Sequence, residues 1–352
     1  MKQRAFAVLA TAALLTLVLT SGCGGVGYYA QSVSGHLDLL RRARPLPEWM
    51  ADATTPNDLR QRLQLAQQVR DFAITVLKLP DNQSYRSYAD LGRGSVVWNV
   101  VAAPELSLKL HTWCFAVVGC VGYRGYFDQR QAQALAEQLR AEGLEVDVYG
   151  VPAYSTLGRT EWLGGDPLLN TFIHWPEGDL ARLVFHELAH QVAYAADDTT
   201  FNESFATAVE RLGLERWQQA TGRAQDGDES LRRRNQFKAI SLRARVALEA
   251  LYASPLPDAD KRLRKREVMA TLRADHAALK AGPWSGFSGY DGWVARANNA
   301  ALGVQAAYDS QVPEFMRLFE AQGRDFERFY AEVKRLASLP KNQRRDTLAA
   351  LR

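Results

Sequence analysis

The stretch VFHELAHQVAYAADDTTFNESFATAVE, residues 184–210, predicts two consecutive helices that face each other across a short turn. Its first half contains His-Glu-x-x-His, in which His186 and His190 are four residues apart. In a helix this spacing projects both imidazoles from one face, about 6 Å apart along the axis. Two such histidines are either ligands of one metal ion or a hydrogen-bonded pair in the core.

The presence of Glu203 in the second half of the stretch favours the interpretation of the two histidines as metal ligands. Twelve residues separate it from His190, enough for one reversal between adjacent helices. A catalytic zinc ion takes three protein ligands and keeps one position open. We therefore expect one Zn²⁺ per chain, bound by His186, His190 and Glu203. The alternative for Glu203 is a capping box with Thr200 at the start of the second helix.

The limits of the two helices are predicted from their caps. Asp179 is expected to cap a first helix over residues 180–194, and the second helix is expected to start near Phe201. Glu187 then lies about 100° around the first helix from His186. From there it can hold a water molecule without binding the metal. Glu187 is therefore predicted to be the catalytic general base.

Further side chains are candidates for supporting this site. Asn202 and Glu210 are expected behind the ligands, where they would orient the imidazoles. A surface salt bridge is the alternative for Glu210. Three tyrosines are candidate donors to a developing oxyanion, with a packed core position as the alternative for each: Tyr154, Tyr290 and Tyr308.

The N-terminus has the form of an export signal. Lys2 and Arg4 precede an apolar run at residues 5–20 that is short for a membrane span, and small residues lead into Cys23. LTSGC resembles a bacterial lipobox, which implies that Cys23 is acylated and becomes the mature N-terminus. A plain signal peptide with an incidental cysteine is the alternative. Because Gly24 follows, the resemblance implies anchoring in outer-membrane lipid, facing the periplasm.

Charge and cysteine content fit an exported protein. The formal charge is +4, and it falls to +2 without Lys2 and Arg4 of the leader, so charge alone favours no particular partner. Export then argues against nucleic acid as a partner. Cys114 and Cys120 are close enough in sequence for a disulfide in an oxidising compartment, with two buried thiols as the alternative. The sequence does not indicate the oligomeric state.

Helical and extended patterns predict an α+β fold that is predominantly α-helical, with a small β-sheet before the His-Glu-x-x-His helix and a larger helical part after it. Four parts are predicted along the chain. They are a lipoprotein signal peptide (1–22), an N-terminal linker with helices (23–90), an α+β core with both motif helices (91–222), and a C-terminal helical part closing the cleft (223–352).

Segments spread over most of the chain resemble the family of predicted bacterial zinc aminopeptidases of the cell envelope: GCGGVGYYAQSVSGHLDLL, TWCFAVVGCVGYRGYF, AYSTLG, DPLLNTF, FHELAHQ, DTTFNESFA and NNAALG. NESFA resembles the Asn-Glu-x-Phe-Ala motif of gluzincin aminopeptidases, whose Glu is the third zinc ligand, although the link to the first motif is shorter here. The resemblance implies a zincin-like fold and hydrolysis of a peptide substrate by zinc-activated water.

Two alternatives to an aminopeptidase stay open. The Gly-x-Met-x-Asn motif with which the larger gluzincin aminopeptidases recognise a free α-amine is absent from the sequence. An endopeptidase that acts on envelope proteins is therefore the nearest alternative. The other is a non-catalytic lipoprotein scaffold or chaperone-like binder, in which His-Glu-x-x-His is structural and no zinc is bound.

Overall fold

A small antiparallel sheet, covered by helices on both faces, leads into a long series of helices. The computed structural model describes residues 27–115, 119–153, 164–196, 198–222, 225–305 and 311–350. The helices are α1 (27–42), α2 (Leu46–Ala51), α3 (Asn57–Thr75), α4 (Gln129–Ala141), α5 (Glu177–His190), α6 (Thr199–Thr221), α7 (Gln225–Ala253), α8 (Asp258–Ala281), α9 (Asp291–Arg296), α10 (Asn299–Gln305), α11 (Val312–Ala321), α12 (Phe326–Ala337) and α13 (Lys341–Ala349).

The strands are short and precede most of the helices in sequence. They are β1 (Arg44–Pro45), β2 (Ser87–Ala89), β3 (Val97–Pro104), β4 (Trp113–Phe115), β5 (Gly119–Val121), β6 (Arg124–Tyr126), β7 (Leu144–Val151) and β8 (Leu168–Leu169). The α+β class, predominantly helical, is thus confirmed. Among the described residues, no helix combines the length and hydrophobicity needed to span a bilayer.

The main sheet has the strand order β6-β3-β7, with antiparallel neighbours. Consecutive residues of β3 are buried because helices cover both faces of the sheet. Val100 and Ala102 pack with residues of α4, whereas Val101 and Ala103 pack with Ala300 of α10. Within the described residues, β7 pairs with β3 alone and forms an edge of this sheet. A second small sheet has the order β1-β2-β8, and β4 pairs with β5.

Helices α5 and α6 pack closely in the largest hydrophobic cluster, which also includes residues of α3 and of α11 to α13. Gly213 of α6 permits the close approach, because a Cβ there would lie 2.7 Å from Cδ2 of Phe185. Phe205 of α6 contacts the rings of Phe315 of α11 and Phe329 of α12, with centroids 5.7 and 5.8 Å away. Aromatic side chains therefore pack α6 against α5 and against the C-terminal helices.

Helix α5 begins and ends earlier than the expected span of residues 180–194. Pro176 occupies its N-cap position with a φ of −47°, and a proline readily starts a helix because its missing N–H is not needed there. Asp179, the expected cap, instead accepts hydrogen bonds from Arg234 and Ser230 of α7. The predicted cap was therefore wrong, and Asp179 ties α5 to α7.

Asp198 caps α6 and also binds the C-terminal helix. Its Oδ1 accepts a hydrogen bond from the backbone N–H of Phe201 at 3.4 Å, so the capping box at Thr200 does not form. The carboxylate accepts further bonds from Arg344 at 3.1 Å and from Arg345 at 2.9 Å. The side chain of Asp198 is fully buried and that of Arg344 is 3% exposed. Helix α13 thereby holds the start of α6.

Replacing Asp198 by Ala is expected to lower the free energy of unfolding by about 3 kcal/mol, because the Arg344 guanidinium would stay buried without its carboxylate. Urea unfolding followed by circular dichroism measures this change. Asp346→Ala is the matched control, since Asp346 lies exposed on the same C-terminal helix and should change stability by less than about 0.5 kcal/mol. Equal effects of the two substitutions would contradict the role given to Asp198.

Candidate metal centre

Three side chains from α5 and α6 meet at one point. The Nε2 atoms of His186 and His190 are 3.2 Å apart. Oε2 of Glu203 lies 3.4 Å from Nε2 of His186, and its Oε1 lies 3.8 Å from Nε2 of His190. Tetrahedral ligands held at zinc distances are about 3.3–3.4 Å apart. The three predicted ligands therefore fit around one zinc ion.

The link between α5 and α6 decides whether Glu203 can reach the histidines. Asn202 closes this turn, because its side chain donates to the carbonyl oxygen of Ala195 at 2.7 Å and accepts from the N–H of Ala195 at 2.8 Å. Asn202 is 2% exposed. Both of these hydrogen bonds go to backbone, so Asn202 orients the link between the helices rather than an imidazole.

The hairpin of β4 and β5 packs against the same turn. A disulfide between Cys114 and Cys120 joins its two strands. Gly119 has a φ of 75°, and a Cβ on it would lie 2.7 Å from the carbonyl oxygen of Ala196. A side chain at this position would push the hairpin away from the turn. The disulfide-bonded hairpin therefore supports the link between α5 and α6.

Glu210 lies two turns beyond Glu203 on α6 and binds the other nitrogen of His186. Nδ1 of His186 donates to Oε2 of Glu210 at 3.2 Å, which leaves Nε2 facing the other ligands. Arg182 and Arg234 each lie 3.5 Å from Oε1 of Glu210. The side chain of Glu210 is only 14% exposed, so the surface salt bridge considered for it is excluded. Glu210 is thus in contact with the imidazole of His186, which it was expected to orient.

Burial and neighbouring charges set the protonation of the cluster. Burial favours a neutral His186, yet the carboxylates of Glu203 and Glu210 raise its pKa well above the usual range. Burial lowers the pKa of His190 to about 4. Although burial acts in the opposite direction, hydrogen bonding to His186 keeps the pKa of Glu203 and of Glu210 below the usual value. At neutral pH the metal-free cluster therefore carries one proton more than two neutral imidazoles would, on His186, and a metal must displace it.

Metal binding at pH 7 is accordingly expected to release about one proton, and the affinity should fall by up to about tenfold per pH unit below the pKa of His186. The affinity falls as the pH falls because a ligating imidazole must be neutral, and the raised pKa keeps His186 protonated to higher pH. Calorimetric zinc titrations in buffers of different ionisation enthalpy measure the released proton. A binding enthalpy that is the same in every buffer would contradict this prediction.

The loop between α3 and β2 is bound to the end of α5. Nδ2 of Asn82 donates to Oε1 of Gln191 at 2.5 Å, and Nε2 of Gln191 donates to Oγ of Ser84 at 3.2 Å. The N–H of Tyr85 donates to the carbonyl oxygen of Asp166 at 2.6 Å. Gln191 directly follows His190 of the cluster, so these bonds place the loop beside the cluster.

Tyr85 is a candidate functional residue that the sequence analysis missed. Its φ is 65°, a strained backbone for an aromatic residue, and its side chain is 2% exposed. Among the described residues, its hydroxyl has no hydrogen-bond partner. Burial, followed by the carboxylates of Glu187 and Asp166, raises the pKa of Tyr85 well above its usual value. A protonated hydroxyl therefore lies within electrostatic range of Glu187. No sequence motif marks Tyr85, because its left-handed backbone is visible only in the fold.

Tyr149, on the edge strand β7, lies within electrostatic range of Glu203. Burial raises its pKa to about 12, with smaller contributions from the carboxylates of Asp147 and Glu203. Its hydroxyl accepts a hydrogen bond from Nδ2 of Asn99 at 3.4 Å. Since Tyr149 belongs to β7, the charge of Glu203 acts on a residue of the edge strand of the main sheet.

Tyr290, a candidate oxyanion donor, packs in an aromatic cluster of the C-terminal helices. Its ring stacks on Phe237, with centroids 4.0 Å apart and planes 3° apart, and it also contacts Trp284. This is the core position considered as the alternative for Tyr290. Three further predicted residues lie outside the described part of the chain: Cys23, Tyr154 and Tyr308.

The protein has a candidate His-His-Glu metal centre on a mostly helical α+β fold. Two facing helices bring its residues together: His186, His190 and Glu203. The chain belongs to the family described as "Putative aminopeptidase", whose sequence profile matches residues 27–348. The family description indicates a peptidase. Searches of curated proteins and of solved structures find no match to the chain.

Proposed function

We propose that the protein is a zinc-dependent metallopeptidase that removes N-terminal residues from peptides. The observation that carries the proposal is the spacing of 3.2, 3.4 and 3.8 Å among the ligand atoms of His186, His190 and Glu203, which suits a tetrahedral zinc site. Two histidines and one glutamate are a donor set of catalytic zinc, with one position left open for water. The family description supports the peptidase class, and the zincin-like arrangement is part of the proposal.

The proposed chemistry assigns a separate task to each residue around the cluster. Zinc, when bound, supplies a Lewis acid that acidifies water and polarises the scissile carbonyl. Glu187 takes the proton of the attacking water and passes it to the leaving amine. Glu210 holds the ring of His186 in the orientation that presents Nε2. Asn202 keeps Glu203 within reach by closing the turn before it.

Tyr85 is proposed as a hydrogen-bond donor to the reacting group beside Glu187. Tyr85→Phe keeps the ring and the buried volume, so it tests the hydroxyl alone. We expect kcat to fall about 100-fold with little change in KM, the size of effect seen when one transition-state donor is removed. Tyr88→Phe is the matched control, because Tyr88 is equally buried on the next strand. An unchanged kcat for Tyr85→Phe would remove Tyr85 from the proposal.

Strand β7 is the proposed binding site for the peptide backbone. It forms an edge of the main sheet among the described residues, and Tyr149 places it in range of Glu203. An extended peptide can add to such an edge through main-chain hydrogen bonds. Its scissile bond would then lie along the sheet edge that faces the cluster.

The distinction between an aminopeptidase and an endopeptidase is tested with pairs of peptides that differ only in N-acetylation. An aminopeptidase is expected to release the first residue of the peptide with the free amine and to leave the acetylated peptide intact. Mass spectrometry of the products follows both reactions in parallel. Equal internal cleavage of both peptides would assign the protein as an endopeptidase instead.

We also propose that the protein is anchored to outer-membrane lipid through acylated Cys23. The described part of the first helix, α1, starts four residues after Cys23 and exposes three apolar side chains spaced four residues apart. They are Tyr29, Val33 and Leu37, with 47%, 59% and 45% exposure. An apolar stripe this close to the acyl chains suits a lipid surface. Mass spectrometry should find a diacylated N-terminal cysteine on the mature chain, and an unmodified residue there would reject the anchor.

A further inference from the structure

A groove of about 490 Å³ lies between α8 and one end of the main sheet. One wall is formed by Glu105, which follows β3, and by Glu145 of β7. The other wall is a row of side chains on α8, and the link between α9 and α10 completes the lining. None of the described lining residues belongs to the His-His-Glu cluster. The groove therefore shares no residue with the candidate metal centre.

The lining of the groove has more positive than negative charge. Four of its residues are basic and two are acidic: Arg262, Lys265, Arg266, Arg273, Glu105 and Glu145. Both carboxylates are already paired, since Arg262 donates to Glu105 at 2.9 Å and Lys265 donates to Glu145. Arg266 and Arg273 are exposed, and neither has an ion pair or a side-chain hydrogen bond among the described residues. Two guanidinium groups at the groove therefore remain available to bind an anion.

Helical periodicity places the arginines in a row along the groove. Arg262, Arg266 and Arg273 lie within about 40° of one another around α8. Along the helix axis, Arg266 and Arg273 are about 10 Å apart. An extended polypeptide covers that distance in about three residues. The row therefore suits carboxylates spread along a chain better than one small ion.

The most buried apolar residues of the lining are Met269 and Ala297, with 5% and 7% exposure. A flexible thioether adapts its shape to the aliphatic groups of a ligand. Sites for single-stranded nucleic acid combine positive charge with aromatic rings on which the bases stack. The described lining of this groove contains no aromatic residue. Its charge and its apolar residues together favour an acidic polypeptide over a nucleic acid.

We propose that the groove lined by Arg266 and Arg273 binds an extended acidic segment of a polypeptide. Each guanidinium would take a carboxylate through paired, charge-assisted hydrogen bonds. Lys265, which is 9% exposed, ties α8 to the opposite wall, because it donates to Glu145 and, at 2.8 Å, to the carbonyl oxygen of Glu105. The two walls are therefore held together before a ligand binds. This binding surface goes beyond the proposed peptidase function and requires neither metal nor hydrolysis.

Fluorescence anisotropy of an octaglutamate peptide, at low ionic strength, tests the proposal. Fluorescein on the N-terminus is the label, and it also protects the peptide from an aminopeptidase. We expect saturable binding with a dissociation constant of about 100 µM or lower. Arg266→Ala combined with Arg273→Ala should weaken binding by at least about tenfold, because two charge-assisted contacts are lost.

Arg264→Ala combined with Arg328→Ala is the matched control. Both arginines are exposed and lie outside the lining of the groove. Their removal lowers the net charge by the same amount as the first double substitution. We expect the control variant to bind octaglutamate within about twofold of the unmodified protein.

Two further probes of the same length complete the experiment: a peptide of alternating glycine and serine, and an oligothymidylate. Three results would each overturn the proposal: no saturable binding of octaglutamate, equal affinities in the two double variants, or binding of either further probe as tight as that of octaglutamate. Tight binding of the oligothymidylate would assign the groove to nucleic acid instead. None of these results depends on bound metal or on peptidase activity, so a failure here is distinguishable from a failure of the proposed function.

Discussion

Glu187→Gln is expected to reduce peptide hydrolysis by about 10³- to 10⁴-fold and to leave zinc content unchanged. The amide keeps the size and hydrogen-bonding oxygen of the side chain but cannot take a proton from water, and a positioned general base contributes up to about that factor. Glu187 follows the proposed ligand His186 on α5 and is half-buried. Hydrolysis of a peptide with a free N-terminus, measured together with metal content, separates loss of chemistry from loss of the site.

Glu215→Gln is the matched control for this experiment. Glu215 lies on α6, the helix of Glu203, but it is exposed and hydrogen-bonds to Gln219 one turn away. The same chemical change there should leave turnover within about twofold of the unmodified protein, since exposed substitutions change little. Full activity of Glu187→Gln, or equal losses in both variants, would remove Glu187 as the general base.

Glu203→Ala is expected to weaken zinc binding by more than about 100-fold. Removal of a partner that only orients a ligand already costs about 10- to 100-fold in metal affinity, and loss of a direct ligand should cost more. Only two histidines, 3.2 Å apart, would then remain in the cluster. Competition with a chromogenic chelator measures the affinity.

Glu215→Ala provides the comparison for this change as well, because it removes an exposed carboxylate from the same helix. We expect it to bind zinc as the unmodified protein does. If Glu203→Ala retained full affinity, the third ligand would have to come from another residue, and the spacing in the cluster would be coincidental.

The cluster of His186, His190 and Glu203 is largely predictable from the sequence, because it depends on helical periodicity. Spacing of four residues places His186 and His190 on one face of α5 in any regular helix. That prediction depended on whether the short link between the helices lets Glu203 reach the histidines. In the structure, Asn202 makes two hydrogen bonds to the backbone of Ala195 in this link. Helix limits were less predictable, since an acidic residue in the first turn resembles a cap even when a preceding proline starts the helix.

The surroundings of the cluster could not be predicted, because they come from distant parts of the chain. Tyr85 and Tyr149 lie within electrostatic range of Glu187 and Glu203, on a loop and a strand with no motif of their own. Arg234 of α7 binds both Asp179 and Glu210, a contact that depends on how α7 packs against two other helices. Local periodicity contains no information about such pairings. Asp198 likewise meets Arg344 only because the C-terminal helix returns to the start of α6.

The most direct test of a zinc site at His186, His190 and Glu203 is elemental analysis of the protein purified without chelators. The ligand spacing predicts one zinc ion per chain, and the same preparation of Glu203→Ala should contain little or none. Absence of any transition metal from the unmodified protein, after purification in zinc-containing medium, would contradict the metal centre and with it the proposed peptidase chemistry.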